Sequence, residues 1–243
     1  MVVDSLKFPT KGEDGLLRAI IGGGLLLASA IIPLLPQLIV NGYSLQSMRA
    51  GARNDPNPPE FEDWESLLKD GALMFGVTLV YTLIPMMLLF GLFFLGFFVF
   101  SFGAAAGSAA GEGGAAAGGG IGLIVMLVLG GIALLLLLLA YYVMPAALVG
   151  LATEEEFSAA FDFDSIREIA FTVDYFVALV VAAIVNFLAF LVILPLMLLL
   201  VGFPLAFILQ AGIFHYLGTV ARDIATTGSA APGTSDPRAG DAY

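Results

Sequence analysis

The sequence predicts an all-α, polytopic membrane helical bundle. It should hold about five to six hydrophobic helices arranged as three hairpins, with short interfacial amphipathic helices beside them. Three observations carry that prediction. Of 243 residues, 60% are hydrophobic, and the mean hydropathy is +1.00. Only 12% are charged, roughly half the ~25% of a soluble globular domain. Those charges are also gathered into short stretches rather than scattered. A soluble enzyme with a polar surface and a disordered chain are thereby excluded. Nine Lys and Arg against twenty Asp and Glu leave a net charge of -11, which excludes a basic nucleic-acid binder. Cysteine is absent, so disulfide frameworks and Cys-based zinc or redox sites are closed off.

The first uncharged block is the thirty residues between Arg18 and Arg49. As one straight helix it would be about 45 Å long, well beyond the ~30 Å hydrocarbon core. Pro33 and Pro36, in IIPLLP, mark a break, because proline lacks the backbone donor and clashes with the preceding turn. Two arms of about fifteen residues would reach about 22 Å each, which suits a re-entrant or tilted hairpin packed against other helices. Whether residues 19–48 cross once, cross twice or re-enter stays open at this point.

The second block runs from Gly71 to Ala152, eighty-two residues whose single charge is Glu112. Residues 103–120 read GAAAGSAAGEGGAAAGGG. Glycine costs about 1 kcal/mol against alanine in a helix, so this run is expected as a flexible loop between helices near 72–101 and 121–151. The third block, Tyr175 to Ala221, holds forty-seven uncharged residues. It divides around Pro195 to Pro204 into helices near 172–195 and 203–222.

Two acidic linkers join the blocks. In the first, Glu62 or Asp63 can cap a short helix with Phe61, Trp64, Leu67 and Leu68 on its apolar side. Trp64, the only tryptophan, suits headgroup level. In the second, Glu154 to Phe171, Phe161, Phe163, Ile166 and Ile169 follow at roughly helical spacing. Both read as interfacial helices. The recurrence of hairpin, acidic aromatic linker and hairpin is a weak internal repeat, of a kind common in transporters and in other membrane proteins.

The nine basic residues arbitrate topology. They are Lys7, Lys11, Arg18, Arg49, Arg53, Lys69, Arg167, Arg222 and Arg238. If each block is a hairpin, all nine share one face, the arrangement favoured by the positive-inside bias. Both termini are then cytoplasmic in a multi-pass plasma-membrane protein. Residues 1–14 form the N-terminus, 15–225 one membrane domain and 226–243 a disordered tail. A cleaved signal peptide ending in Ala28-Ser29-Ala30 is disfavoured, because Asp4, Glu13 and Asp14 dilute the positive region. The acidic bias itself resembles proteins of salt-loving archaea.

One run of residues carries a resemblance. Asn41-Gly42-Tyr43, Arg49, Pro59-Glu60-Phe61-Glu62-Asp63-Trp64, Leu67 and Asp70-Gly71, followed by Tyr81 and Pro85, resemble a family of archaeal membrane proteins. This is the domain-of-unknown-function family numbered 4013, over about residues 5–222. The resemblance implies an integral membrane protein, distantly similar to membrane domains attached to some glycerophosphodiester phosphodiesterases. It implies no established activity and offers no catalytic residues. Physically, Gly42-Tyr43 would allow close helix approach with an aromatic anchor, Asp63-Trp64 would cap and anchor an interface helix, and Asp70-Gly71 would mark the turn into the bilayer.

Catalytic, cofactor and metal sites find no support in the sequence. There is no Walker-type phosphate loop, and His215 is the sole histidine, so multi-histidine metal sites are impossible. Intramembrane polar residues are the better candidates, because each is costly in lipid. Asn186 and Gln210 fall at similar depth on either side of the last turn, in small-residue stripes at i, i+4 spacing. They are expected to clasp each other, or to line a substrate path. Asp174 is placed at a helix entrance in an interfacial or capping role. His215 is expected to be neutral and hydrogen-bonded. The functional expectation is a non-enzymatic scaffold or accessory subunit; the alternative is a small-solute or lipid transporter or channel. The partners expected are the lipid bilayer and other membrane subunits or further copies of the chain, not nucleic acid.

Overall fold

The computed structural model describes residues 1–109 and 111–229, and no strand occurs among them. A short helix α1 (Val2–Lys7) and a 3-10 turn lead into α2 (Gly15–Ser29) and α3 (Leu35–Arg53). Two very long helices follow, α4 (Trp64–Ser108) and α5 (Glu112–Glu154). A 3-10 turn and the short α6 (Phe163–Ala170) then connect to α7 (Val173–Met197) and α8 (Gly202–Ser229). The chain is a helical bundle of three hairpins, α2/α3, α4/α5 and α7/α8, each made of consecutive helices in contact.

Four helices, α4, α5, α7 and α8, are long and apolar enough to cross a membrane. The first block is a hairpin of a different kind. At 15 residues, α2 is about 22 Å long and falls short of the hydrocarbon core. Its partner α3 carries Gln37, Asn41, Ser44, Gln46, Ser47 and Arg49 along its length. Of the readings left open for residues 19–48, one straight crossing is therefore excluded. Ile31, Ile32, Leu34 and Leu35 are exposed at the hairpin's tip, an apolar end compatible with a re-entrant insertion.

Polar as it is, α3 is the helix on which the others converge, packing against α2, α4, α5 and α8. It runs parallel to α8: Met48 meets Gly218, Gly51 meets His215, and Asn54 bonds Arg222. One core gathers Leu45, Met48, Val77, Leu148, Leu151 and Leu217 from α3, α4, α5 and α8. A second joins Val40, Tyr43, Phe61, Leu67 and Phe207. Arg49, Arg53, Asp70 and Glu155 meet at one end of the bundle, so the three hairpins open toward a shared charged end.

Three expectations are corrected. The Gly/Ala-rich run at 103–120 is not a loop; it forms the ends of α4 and α5, and the reversal is confined between Ser108 and Glu112. Gly111 makes that reversal with a φ of +89°, a conformation glycine adopts without steric cost. Gly103 and Gly118 face each other across the hairpin so closely that a Cβ on Gly118 would strike the Gly103 carbonyl. Backbone-to-backbone packing thus outweighs the weak helix propensity of glycine. Second, the residues around 61–68 do not form a separate interfacial helix. Trp64 opens α4, which continues through Asp70-Gly71 without a break. Gly71 packs there against the Leu38 backbone, so its bare backbone serves contact instead of a turn. Third, residues 226–229, expected to begin a disordered tail, extend α8; the rest of that tail lies outside the described residues. The second linker does contain an amphipathic helix, α6, which buries Ile166 and Ala170 and exposes Asp164, Arg167 and Glu168.

Candidate functional site

The residues singled out in the sequence meet where α3 crosses α4. Asp63 caps α4 by accepting a hydrogen bond from the Ser66 backbone at 3.0 Å. Within the next two turns the α4 backbone lies against α3. A Cβ on Gly42 would strike the Leu67 carbonyl, and one on Gly71 would strike the Leu38 carbonyl. Both positions must therefore be glycine for the helices to approach this closely. Tyr43 fills the adjoining space, stacked on Phe61 at 4.9 Å and tilted against Phe207 at 4.8 Å. Its hydroxyl is buried with no partner among the described residues. Trp64 packs beside Phe61 at 5.9 Å and stays 45% exposed.

Arg49 and Asp70 supply the electrostatic part of the crossing. The Arg49 guanidinium donates to both oxygens of the Asp70 carboxylate, at 3.0 and 3.3 Å, and to the Ala152 carbonyl at 2.8 Å. Gln46 donates to Asp70 at 2.9 Å and to Ser66 at 3.1 Å. The side chains of Arg49 and Asp70 are only 14% and 8% exposed. A buried carboxylate needs this many donors to offset its lost hydration. Glu155 adds a contact to Arg49 at 3.4 Å and a more exposed one to Arg53 at 3.0 Å. A single arginine thus ties α3 to α4 and to the end of α5.

A second polar face of α3 looks toward α8. Gln37, Asn41 and Ser44 recur at helical spacing. Gln37 donates to Asn41 at 3.0 Å. Gln210 of α8 donates to Ser44 at 3.1 Å and to Asn41 at 3.5 Å. The Asn186–Gln210 clasp is therefore not formed. Gln210 turns to α3 because α3 offers two oxygen acceptors on the face that α8 packs against. Asn186 is exposed in a groove of about 340 Å³ between α7 and α8, lined also by Phe190, Leu209 and Phe214, and its side chain bonds no described residue. A sequence argument pairs neighbours within a hairpin. The signal for the true pairing was the 37, 41, 44 stripe, whose spacing marks one helix face.

The remaining candidates lie apart. Asp174 is exposed in the first turn of α7, where its charge suits the helix dipole, while Thr172 makes the cap by accepting from the Tyr175 backbone at 3.2 Å. His215 is stacked on Phe8, ring centroids 3.8 Å apart. Its Nδ1 has no partner among the described residues, which corrects the expectation of a hydrogen-bonded ring. Arg18, given no role in advance, is buried and donates to the Pro9 and Lys11 carbonyls, tying the N-terminal segment down. Among the described residues no group of three or more His, Cys, Asp or Glu could hold a metal ion.

A family model described as "Protein of unknown function (DUF4013)" matches residues 25–201. No curated protein matches the chain, and no solved structure does.

Proposed function

The chain belongs to the DUF4013 family, and from that premise we propose that it is a non-enzymatic scaffold or accessory subunit of a membrane assembly. The observation that carries this reading is how the polar groups of α3 are used. Arg49, Gln46 and Gln37 all bond within the bundle, and Asn41 and Ser44 accept from Gln210. The bonds of Arg49, Gln46 and Gln210 hold one helix against another, and the Gln37–Asn41 bond braces α3 itself. The long α4/α5 hairpin meanwhile leaves its apolar sides uncovered by the rest of the chain: in its most apolar windows only 11% and 6% of residues are buried. A rigid knot with a long apolar arm suits a protein that positions other membrane subunits, or further copies of itself. The positive-inside bias supports a cytoplasmic position for the charged end and both termini in a plasma-membrane protein.

Copurification from native membranes tests the proposal. A stable stoichiometric membrane partner is the expected result. A second reading, a small-solute or lipid transporter, is favoured by one observation, the groove that exposes Asn186 beside Gln210. Solute flux in proteoliposomes that is lost in Asn186→Leu would replace the scaffold with that reading.

A further inference from the structure

An apolar groove lies where α6 folds back against the α4/α5 hairpin. It encloses about 450 Å³, within the range of small-molecule sites. Tyr81, Pro85, Leu139, Val143, Phe161 and Ile166 contribute to its walls. Among the described residues Arg167 is the only charged one that lines it. The walls are held before any ligand arrives. The Tyr81 hydroxyl donates to the Ala160 carbonyl at 2.9 Å, and the Tyr142 hydroxyl donates to the Ala170 carbonyl at 2.6 Å. The Phe161 ring stacks on Tyr81 at 5.6 Å. These contacts fix both ends of the linker to the hairpin, so little ordering remains for binding to impose.

We propose that this groove holds one hydrocarbon chain of a phospholipid, with the lipid phosphate bound by Arg167. The chemistry of the groove is divided in the same way as that of the lipid. Its interior is hydrocarbon, the Tyr81 hydroxyl is already committed to the Ala160 carbonyl, and its one charged group among the described residues is the Arg167 guanidinium, whose fork of donors matches phosphate oxygens. Arg167 is exposed and takes part in no ion pair among the described residues, with its neighbours Asp164 and Glu168 or with any other carboxylate. Its placement agrees as well. It sits on the amphipathic α6, where an interfacial helix meets headgroups, while Ile84 and Leu136 continue the groove along the hairpin that crosses the bilayer.

The test uses the full chain purified in mild detergent and native mass spectrometry after incubation with phosphatidylglycerol. One phospholipid retained per chain is expected. Arg167→Gln should reduce retention about tenfold, the loss of a charge-assisted hydrogen bond. Ala140→Trp, which fills the groove, should abolish it, while Asn186→Leu in the other groove should leave it unchanged. Diacylglycerol with the same chains should be held more weakly, and inorganic phosphate should not compete. Retention equal to wild type in both Arg167→Gln and Ala140→Trp would overturn the proposal. So would displacement by inorganic phosphate alone, or absence of retained lipid in the wild type. None of these outcomes bears on whether a protein partner copurifies, so the site and the scaffold reading fail separately.

Discussion

The α3 crossing and the far end of the α4/α5 hairpin are built with the same device and differ in what accompanies it. At both, facing glycines let two helix backbones touch: Gly42 and Gly71 for α3 on α4, Gly103 and Gly118 for α4 on α5. At the crossing, the close approach brings Arg49, Gln46 and Asp70 into bonding range, and other helices enclose the contact. At the far end no ion pair among the described residues joins the two helices of the hairpin, and large apolar residues such as Phe93, Phe98 and Leu135 remain exposed on its outside. Glycine contact alone gives proximity. Buried charge pairing adds a penalty for every wrong arrangement, and so fixes one geometry.

Breaking that charge pairing should have the largest effect. Asp70→Leu leaves the Arg49 guanidinium buried without its carboxylate, and should destabilise the bundle by about 3–5 kcal/mol. The double variant with Arg49→Leu should recover much of that loss in reversible unfolding from bicelles. A double variant as unstable as the sum of the two singles would show that the pair is not coupled.

The glycine device can be compared site by site. Gly71→Ala should cost about 1–3 kcal/mol, because the methyl group meets a backbone carbonyl held on all sides. Gly118→Ala should cost less, since among the described residues only α4 lies against its would-be Cβ, and two helices can separate slightly. Gly91 has nothing within 4 Å of its would-be Cβ, so Gly91→Ala should stabilise by up to about 1 kcal/mol through helix propensity. Equal losses at Gly71 and Gly118 would mean that enclosure by other helices is irrelevant.

A double-mutant cycle sharpens the polar side of the comparison. Gln210→Leu with Ser44→Ala should show coupling of about 0.6–2 kcal/mol, the usual range for interhelical polar bonds in membranes. Gln210→Leu with Asn186→Leu should show none. Coupling in the second cycle would restore the hairpin clasp that the geometry argues against.

The smallest effect concerns the linker. The Ser165 hydroxyl, at 2.6 Å, and then the backbone N–H groups hold the Asp162 carboxyl below the usual aspartate range. A lowered folded value means that the α6 cap is at full strength above the ordinary aspartate pKa. It is lost as pH falls through the lowered value. Hydrogen exchange in α6 should therefore quicken only in that acid window, and Ser165→Ala should move the window upward. An unmoved window would remove the cap from the account.

The sequence showed the hairpins plainly, because charge is so costly in hydrocarbon that uncharged blocks and their proline punctuation have few other readings. It showed α6 through aromatic spacing, and it flagged Gly42, Arg49, Asp70 and Gly71 without saying what they touch. The Gly/Ala run misled, since helix propensities measured in water omit the packing that two bare backbones gain against each other. The Asn186–Gln210 pairing misled for a related reason: depth along a hairpin says nothing about which neighbour a side chain faces. Composition and charge placement by themselves determined a membrane bundle of three hairpins, through the energetics of burying charge. Only the tertiary structure decided that α3, the most polar of the long helices, is the one the others close around. That outcome depends on donors and acceptors from α4, α5 and α8 arriving together, and no local stretch of sequence records such a meeting.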